Sequence, residues 1–212
     1  MSGERKISIK ICGMRDADNI LQVALFSPDY LGFILFPESP RFVGEDFRIP
    51  GSLPLSIERV GVFVNETTEK ILQKAKALGF DYIQLHGNES VEQSIALKDN
   101  GLKVIKVFSV DNDFNFSVTK PYVPIVDYFL FDAKGKFLGG NAKTFNWEIL
   151  RHYDQEIPFF LSGGLSAENV AEVFSLNEMN LHALDVNSGV EEIPGVKSTE
   201  KLKAFLNNLT FK

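Results

Sequence analysis

The chain has 212 residues, 44 % of them hydrophobic and 24 % charged, with a formal net charge of −6 and a single cysteine. That composition is globular and its length fits one domain over residues 1–212, while one cysteine excludes an intrachain disulfide and the Cys-rich secreted classes. An acidic chain lacks the clustered Lys and Arg that grip a nucleic-acid backbone, so nucleic acid is not an expected partner; a small phosphate needs only a local site. The polar start Met1-Ser2-Gly3-Glu4-Arg5-Lys6 and the lack of an apolar run near the roughly 18–20 residues that span a bilayer predict no membrane partner and a cytoplasmic protein.

Short apolar runs then recur, most of them followed by helical spacing. Strand 7–12 precedes a helix over 16–24. Strand 30–36 runs into the Pro-containing segment 37–41. Strand 60–64 precedes helix 67–78, whose Ile71, Leu72, Ala75 and Leu78 fall on one face. Strand 82–86 leads to helix 90–98, and strand 103–108 to a stretch of no clear period. The second half repeats the pattern, with strand 127–132, a Gly-rich loop and helix 147–153. Strand 158–162 is followed by helix 166–174, for which Ser166 is placed as N-cap. Strand 183–186 and helix 199–206 close the series. Eight alternating units fit an open parallel sheet or a closed barrel. The chain has no G-x-G-x-x-G after the first strand, and its Gly turns follow strands seven and eight. A single (β/α)8 barrel of the α/β class is therefore predicted.

In a barrel, strand residues alternate between the interior and the helix layer. Ile7, Ile9 and Ile11 share one face of the first strand, so Lys10 and Cys12 point inward, with Cys12 last before Gly13. Strand six ends in Asp132, strand four in His86 with Gln84 on the same face, and strand eight near Asp185. Each admits two readings. Cys12 is a small buried hydrophobe or, beside an ammonium, a reactive thiolate. An inward Lys10 costs several kcal/mol to bury unless it is paired or functional. Asp132 is either the structural partner of Lys10 or a catalytic group. His86 is a hydrogen-bonded support or a ligand contact, and Asp185 a substrate contact or an anchor for its loop. Three scattered histidines without clustered carboxylates make no metal site.

Gly163-Gly164-Leu165-Ser166 and Asn187-Ser188-Gly189-Val190 follow adjacent late strands. Their backbone N–H groups suit a phosphate, with Gly163, Gly164, Ser188 and Gly189 as the expected contacts. Arg41, in a loop stiffened by Pro40, is an exposed surface arginine or a fork for a carboxylate. Gly139-Gly140-Asn141-Ala142 has the composition of a lid.

The motifs Lys10-Ile11-Cys12-Gly13, Gly32-Phe33, Ser39-Pro40-Arg41-Phe42-Val43 and Gly61-Val62-Phe63-Val64-Asn65 together resemble the phosphoribosylanthranilate isomerase family. So do Gln84-Leu85-His86-Gly87, Phe131-Asp132, Leu161-Ser162-Gly163-Gly164-Leu165, Asp185 through Glu191, and Pro194-Gly195-Val196-Lys197. The resemblance implies an Amadori rearrangement of an aminoaldose phosphate. Asp132 would be the general acid that opens the ribose ring, and Cys12 the base that takes the C2 proton. It also implies Arg41 at the anthranilate carboxylate, Lys10, His86 and Asp185 around the substrate, the phosphate on both Gly turns, and no metal or redox cofactor. The chain departs from the family pattern at Asn141 and Ala142 in the lid, at Asn146 and Ser198 where Asp is usual, and at Arg15 where Thr is common. Two rivals are a related decarboxylating synthase, which would need an inward Lys and Glu set, and a catalytically silent barrel. Helix faces carrying Phe205 and Phe211 leave monomer and homodimer both open.

Overall fold

In the computed structural model, which describes residues 7–133 and 147–209, eight parallel strands close on themselves in chain order. They are β1 (Ser8–Ile11), β2 (Tyr30–Ile34), β3 (Glu58–Phe63), β4 (Tyr82–Leu85), β5 (Lys103–Val110), β6 (Tyr128–Ala133), β7 (Phe159–Ser162) and β8 (Leu181–Val186). Between them run α1 (Ala17–Ala24), α2 (Thr68–Leu78) and α3 (Val91–Asp99), and α4 (Thr199–Leu209) follows β8. The closing pair sets Lys10 opposite Asp185 and Ile11 opposite Val186. The Cys12 N–H extends that ladder to the Val186 carbonyl at 2.9 Å.

Alternation along the strands makes two cores. Ile9, Ile11, Phe33, Leu85, Phe131 and Leu161 belong to the outer one, against the helices, and Val60, Ile105, Val107, Leu130, Phe160 and Ala183 to the inner one. Tyr30, Tyr82 and Tyr128 open β2, β4 and β6 and fill the amino-terminal end of the barrel. There Tyr30 Oη lies 2.7 Å from His182 Nε2, and the His182 ring stacks on Tyr128 at 4.3 Å.

The first three helices form for local reasons. Asp16, Thr67 and Ser90 each accept a hydrogen bond from the N–H three residues on, and Gly79 closes α2 in the left-handed conformation. The later units differ from expectation. Phe116–Tyr122, Trp147–His152 and Val170–Leu176 are 3₁₀ helices. Ser166 caps no α-helix, because the segment after β7 turns first and becomes helical only at Val170. The Asn169 side chain is committed to that turn, accepting from Ser166 N at 2.9 Å and donating to the Gly164 carbonyl at 2.9 Å. Runs of six or seven residues have little propagation to offset helix nucleation, and the tighter i→i+3 bond takes over.

Phe205 is fully buried in α4 and offers no surface to a partner. Phe211 and the lid segment 139–142 lie outside the described residues. A short antiparallel pair, β9 (Glu191–Ile193) with β10 (Val196–Lys197), follows β8. Ser198 starts α4, accepting from Leu202 N at 2.9 Å.

Candidate active site

Cys12 sits just past β1 at the carboxyl-terminal rim and is 4 % exposed. Its seat is made by two glycines. A Cβ on Gly32 would lie 2.8 Å from Cys12 Sγ. Gly13 has φ +76°, and a Cβ there would meet Asn187 Oδ1 at 2.7 Å and Arg41 Cδ at 2.8 Å. Arg41 and the loop after β8 therefore close over the residue next to the thiol.

Beneath the thiol, Lys10 Nζ and Asp185 Oδ1 lie 2.9 Å apart, both buried. Strand register dictates the pairing, since these two residues are direct neighbours across the β1–β8 seam. Asp132 is thus not the partner of Lys10. Burial works against the ammonium, but Asp185 and then Cys12 keep Lys10 charged. Lys10 alone does not draw Cys12 down to a thiolate. Burial is the larger effect and pushes the thiol up; Lys10 and Lys197 pull it down, Asp185 pushes it further, and the balance lies above the usual thiol range. The resting site holds a thiol.

Asp132 meets His86 instead. His86 Nε2 stands 3.5 Å from Asp132 Oδ2, and both side chains are about one-third exposed. On the other side of the ring, Gln84 Nε2 lies 3.1 Å from His86 Nδ1. With that amide donating, Nδ1 is the acceptor and the Nε2–H faces Asp132. The turn carrying His86 is fixed by Glu89, a buried carboxylate that accepts from Asn65 N, Gly87 N and Lys106 Nζ at 2.8–3.0 Å. Lys106 also donates to the Gly87 carbonyl at 2.7 Å. A cavity of about 590 Å³ opens here, lined by His86, Val107, Ser109 and Tyr122 among others.

Arg41 is neither a loose surface side chain nor a free fork. Its Nε donates to Glu191 Oε1 and Oε2 at 2.9 and 3.1 Å, and its Nη2 to Oε2 at 2.7 Å. Glu191 also accepts from Lys197 Nζ at 2.7 Å and Gly195 N at 3.0 Å. Burial alone would push this carboxyl up, but its cationic and N–H donors hold it down at about 2. Lys197 Nζ continues to Asn187, 2.7 Å from Oδ1 and 3.2 Å from the carbonyl. Sequence patterning gave Glu191, Lys197, Glu89 and Lys106 no role. Lys106 shares its strand face with Val104 and Phe108, toward the helix layer, so a search for inward-facing residues passes over it, and Glu191 stands 150 residues from Arg41.

The two Gly turns adjoin each other. Gly163 and Gly164 have φ +99° and +68°, and a Cβ on Gly189 would run into the Leu165 carbonyl. Ser188 opens a single 3₁₀ turn, Ser188–Val190, on the same rim. The α-helix expected behind Gly164 is absent, so an anion here would rely on loop N–H groups more than on a helix dipole. Among the described residues no three His, Cys, Asp or Glu are grouped to hold a metal ion, and no helix is long and apolar enough to cross a membrane.

A closed (β/α)8 barrel with a buried thiol, two carboxylates and a clamped arginine converging on its carboxyl-terminal rim defines a barrel enzyme. Comparison with known proteins narrows the class. Residues 9–208 match the family model described as N-(5'phosphoribosyl)anthranilate (PRA) isomerase. The N-(5'-phosphoribosyl)anthranilate isomerase of Phocaeicola vulgatus is 42 % identical over 201 residues, covering 95 % of this chain and 97 % of that one. The crystal structure of the Thermotoga maritima phosphoribosyl anthranilate isomerase superposes with a TM-score of 0.83 at 33 % identity, over 96 % of this chain and 98 % of the other. A phosphoribosyl anthranilate isomerase in complex with reduced 1-(o-carboxyphenylamino)-1-deoxyribulose 5-phosphate gives 0.81 at 31 %, with the same coverage. The chain belongs to the N-(5'-phosphoribosyl)anthranilate isomerase family.

Proposed function

We propose that this chain converts N-(5-phosphoribosyl)anthranilate to 1-(2-carboxyphenylamino)-1-deoxyribulose 5-phosphate, the isomerase step of tryptophan biosynthesis. The observation that carries the assignment to this site is the seat of Cys12: a lone thiol at a strand end, cleared by Gly32 and flanked by Lys10 and Arg41.

Asp132 gives a proton to the ribose ring oxygen. The C1–O bond breaks while the anilino nitrogen supplies its lone pair, leaving an open-chain Schiff base. Cys12, as thiolate, removes the C2 proton, and the electron pair moves into C1=C2 to give an enolamine. A proton returns to C1 as the C2 hydroxyl becomes a carbonyl, so no atom is gained or lost. Acid and base each contribute about 10²–10⁴-fold in such a step. The base acts from the minor thiolate form, which Lys10 and Lys197 favour against burial. The phosphate lies against Gly163, Gly164, Ser188 and Gly189. The anthranilate carboxylate faces Arg41, whose Nη1 takes no part in the Glu191 pair. Lys10 and Asp185 support the thiol from below, and His86 contacts the substrate beside Asp132.

Purified protein mixed with freshly generated substrate should extinguish anthranilate-type fluorescence. Borohydride trapping should then yield the reduced deoxyribulose phosphate. Fluorescence that persists at micromolar enzyme would set the assignment aside. We further propose one folded domain, a cytoplasmic location, and a monomer or homodimer, the last decided by sedimentation.

A further inference from the structure

We infer that Glu191 is the positioning residue that makes this site select a carboxylated substrate, by holding Arg41 and Lys197 together across the barrel mouth. The inference rests on the isomerase assignment and adds a residue to it.

Arg41 and Lys197 are two cations on one rim, from the loop after β2 and from β10. Lys197 Nζ is almost wholly buried, and Arg41 is only 21 % exposed. Like charges so placed repel, and Arg41 adds to the burial that makes Lys197 harder to hold protonated. Glu191, 5 % exposed, lies between them and takes three hydrogen bonds from Arg41 and one from Lys197. It thereby fixes the guanidinium plane, commits Nε and Nη2 to the protein, and leaves the Nη1 edge as the one that can meet a ligand. A guanidinium presented by one edge in a fixed plane matches a carboxylate better than a neutral isostere.

The same carboxylate reaches the other anion site. Lys197 holds Asn187 by its side chain and its carbonyl, at the head of the Ser188–Gly189 turn. Asn19 fastens Lys197 in turn, donating to its carbonyl and accepting from its N–H at 2.8 Å each. Arg41, Glu191, Lys197 and Asn187 thus form one chain of contacts from the expected carboxylate end of the substrate to its phosphate end. Removing the Glu191 charge leaves the two cations unscreened, and Arg41 is the one with room to move.

The test compares two substrates made alike: the phosphoribosyl adduct of anthranilate, and that of anthranilamide, its neutral isostere. Wild-type enzyme should prefer the carboxylate by kcat/KM. Glu191→Gln should cut that preference at least tenfold, mainly through KM for the carboxylated substrate, and Glu191→Asp should restore part of it. In an Arg41→Gln background, Glu191→Gln should leave the preference where Arg41→Gln alone puts it. Inhibition by inorganic phosphate and the melting temperature are followed alongside to report the other end of the site and the fold. A Glu191→Gln enzyme that melts cooperatively and keeps the wild-type preference overturns the inference; so does an equal loss with both substrates. Should Glu191→Gln not fold, Glu191→Asp decides, since a preference unchanged from wild type in that variant counts against Glu191 as the positioning group. A wild type inactive on both adducts removes the isomerase assignment, and the inference with it.

Discussion

The chemistry of Cys12 is decided by the contest between burial and charge. A thiol with 4 % exposure loses the solvation that a thiolate needs, and the ammonium groups of Lys10, engaged by Asp185, and Lys197 do not make up the difference. Because this is the only cysteine, its alkylation can be read without interference. The rate of carbamidomethylation follows the thiolate, so its midpoint in the free enzyme should lie above the about 8.5 of an unperturbed thiol. A midpoint near neutrality would mean that Lys10 wins and the thiolate is the resting form. In the proposed mechanism the active state carries one proton, on Asp132 and not on Cys12, so the alkaline limb of kcat/KM, where that last proton is lost, should fall beyond the usual thiol range. Gly32 is the second lever. A methyl group there would meet Sγ at 2.8 Å and Cys12 Cα at 3.1 Å. Gly32→Ala should lower kcat by about 10–10²-fold, since displacements near 1 Å carry losses of that size. Unchanged turnover in a well-folded Gly32→Ala enzyme would show that Cys12 has slack.

Among the elements, the β9–β10 hairpin carries a charge cluster with its own pH signature. Glu191 titrates at about 2 in the fold and near 4.3 in an unfolded chain. Its folded pKa is depressed, so the stability it contributes is present above the unfolded value and is lost as pH falls from about 4.3 toward 2. Melting temperature followed over that range should drop more steeply in the wild type than in Glu191→Gln; parallel curves would deny the hairpin this role. Nothing in the order of residues announces that cluster. Alternation of isoleucines around Lys10 was enough to turn Lys10 and Cys12 inward, and strand ends were enough to bring His86, Asp132 and Asp185 to one rim. The partner of Lys10 was not readable, because Asp132 and Asp185 both end inward-facing strands and only the β1–β8 register chooses between them. The units after β6 and β7 differ from the expected helices for a local reason. Their apolar spacing fits a helix, but six or seven residues do not sustain α-helical bonding against the pull of turn contacts such as those of Asn169.

For the whole molecule, the barrel separates its two ends. The amino-terminal end is a plug of Tyr30, Tyr82, Tyr128, Phe160 and His182 in edge-to-face and stacked contact, with a hydrogen bond of 2.7 Å between Tyr30 and His182. The reactive groups stand at the opposite end, so stability and activity should be separable. Tyr30→Phe removes that hydrogen bond and is expected to lower unfolding free energy by about 1–3 kcal/mol while kcat/KM stays within twofold of wild type. A loss of activity without a loss of stability would mean that the two ends communicate. Whether Cys12 and Asp132 act as base and acid in the isomerisation is decided by turnover of freshly made phosphoribosylanthranilate with wild type, Cys12→Ser and Asp132→Asn side by side. Wild type should turn over, and each variant should lose about 10²–10⁴-fold with its melting temperature preserved. Near wild-type kcat in either variant would remove that residue from its role.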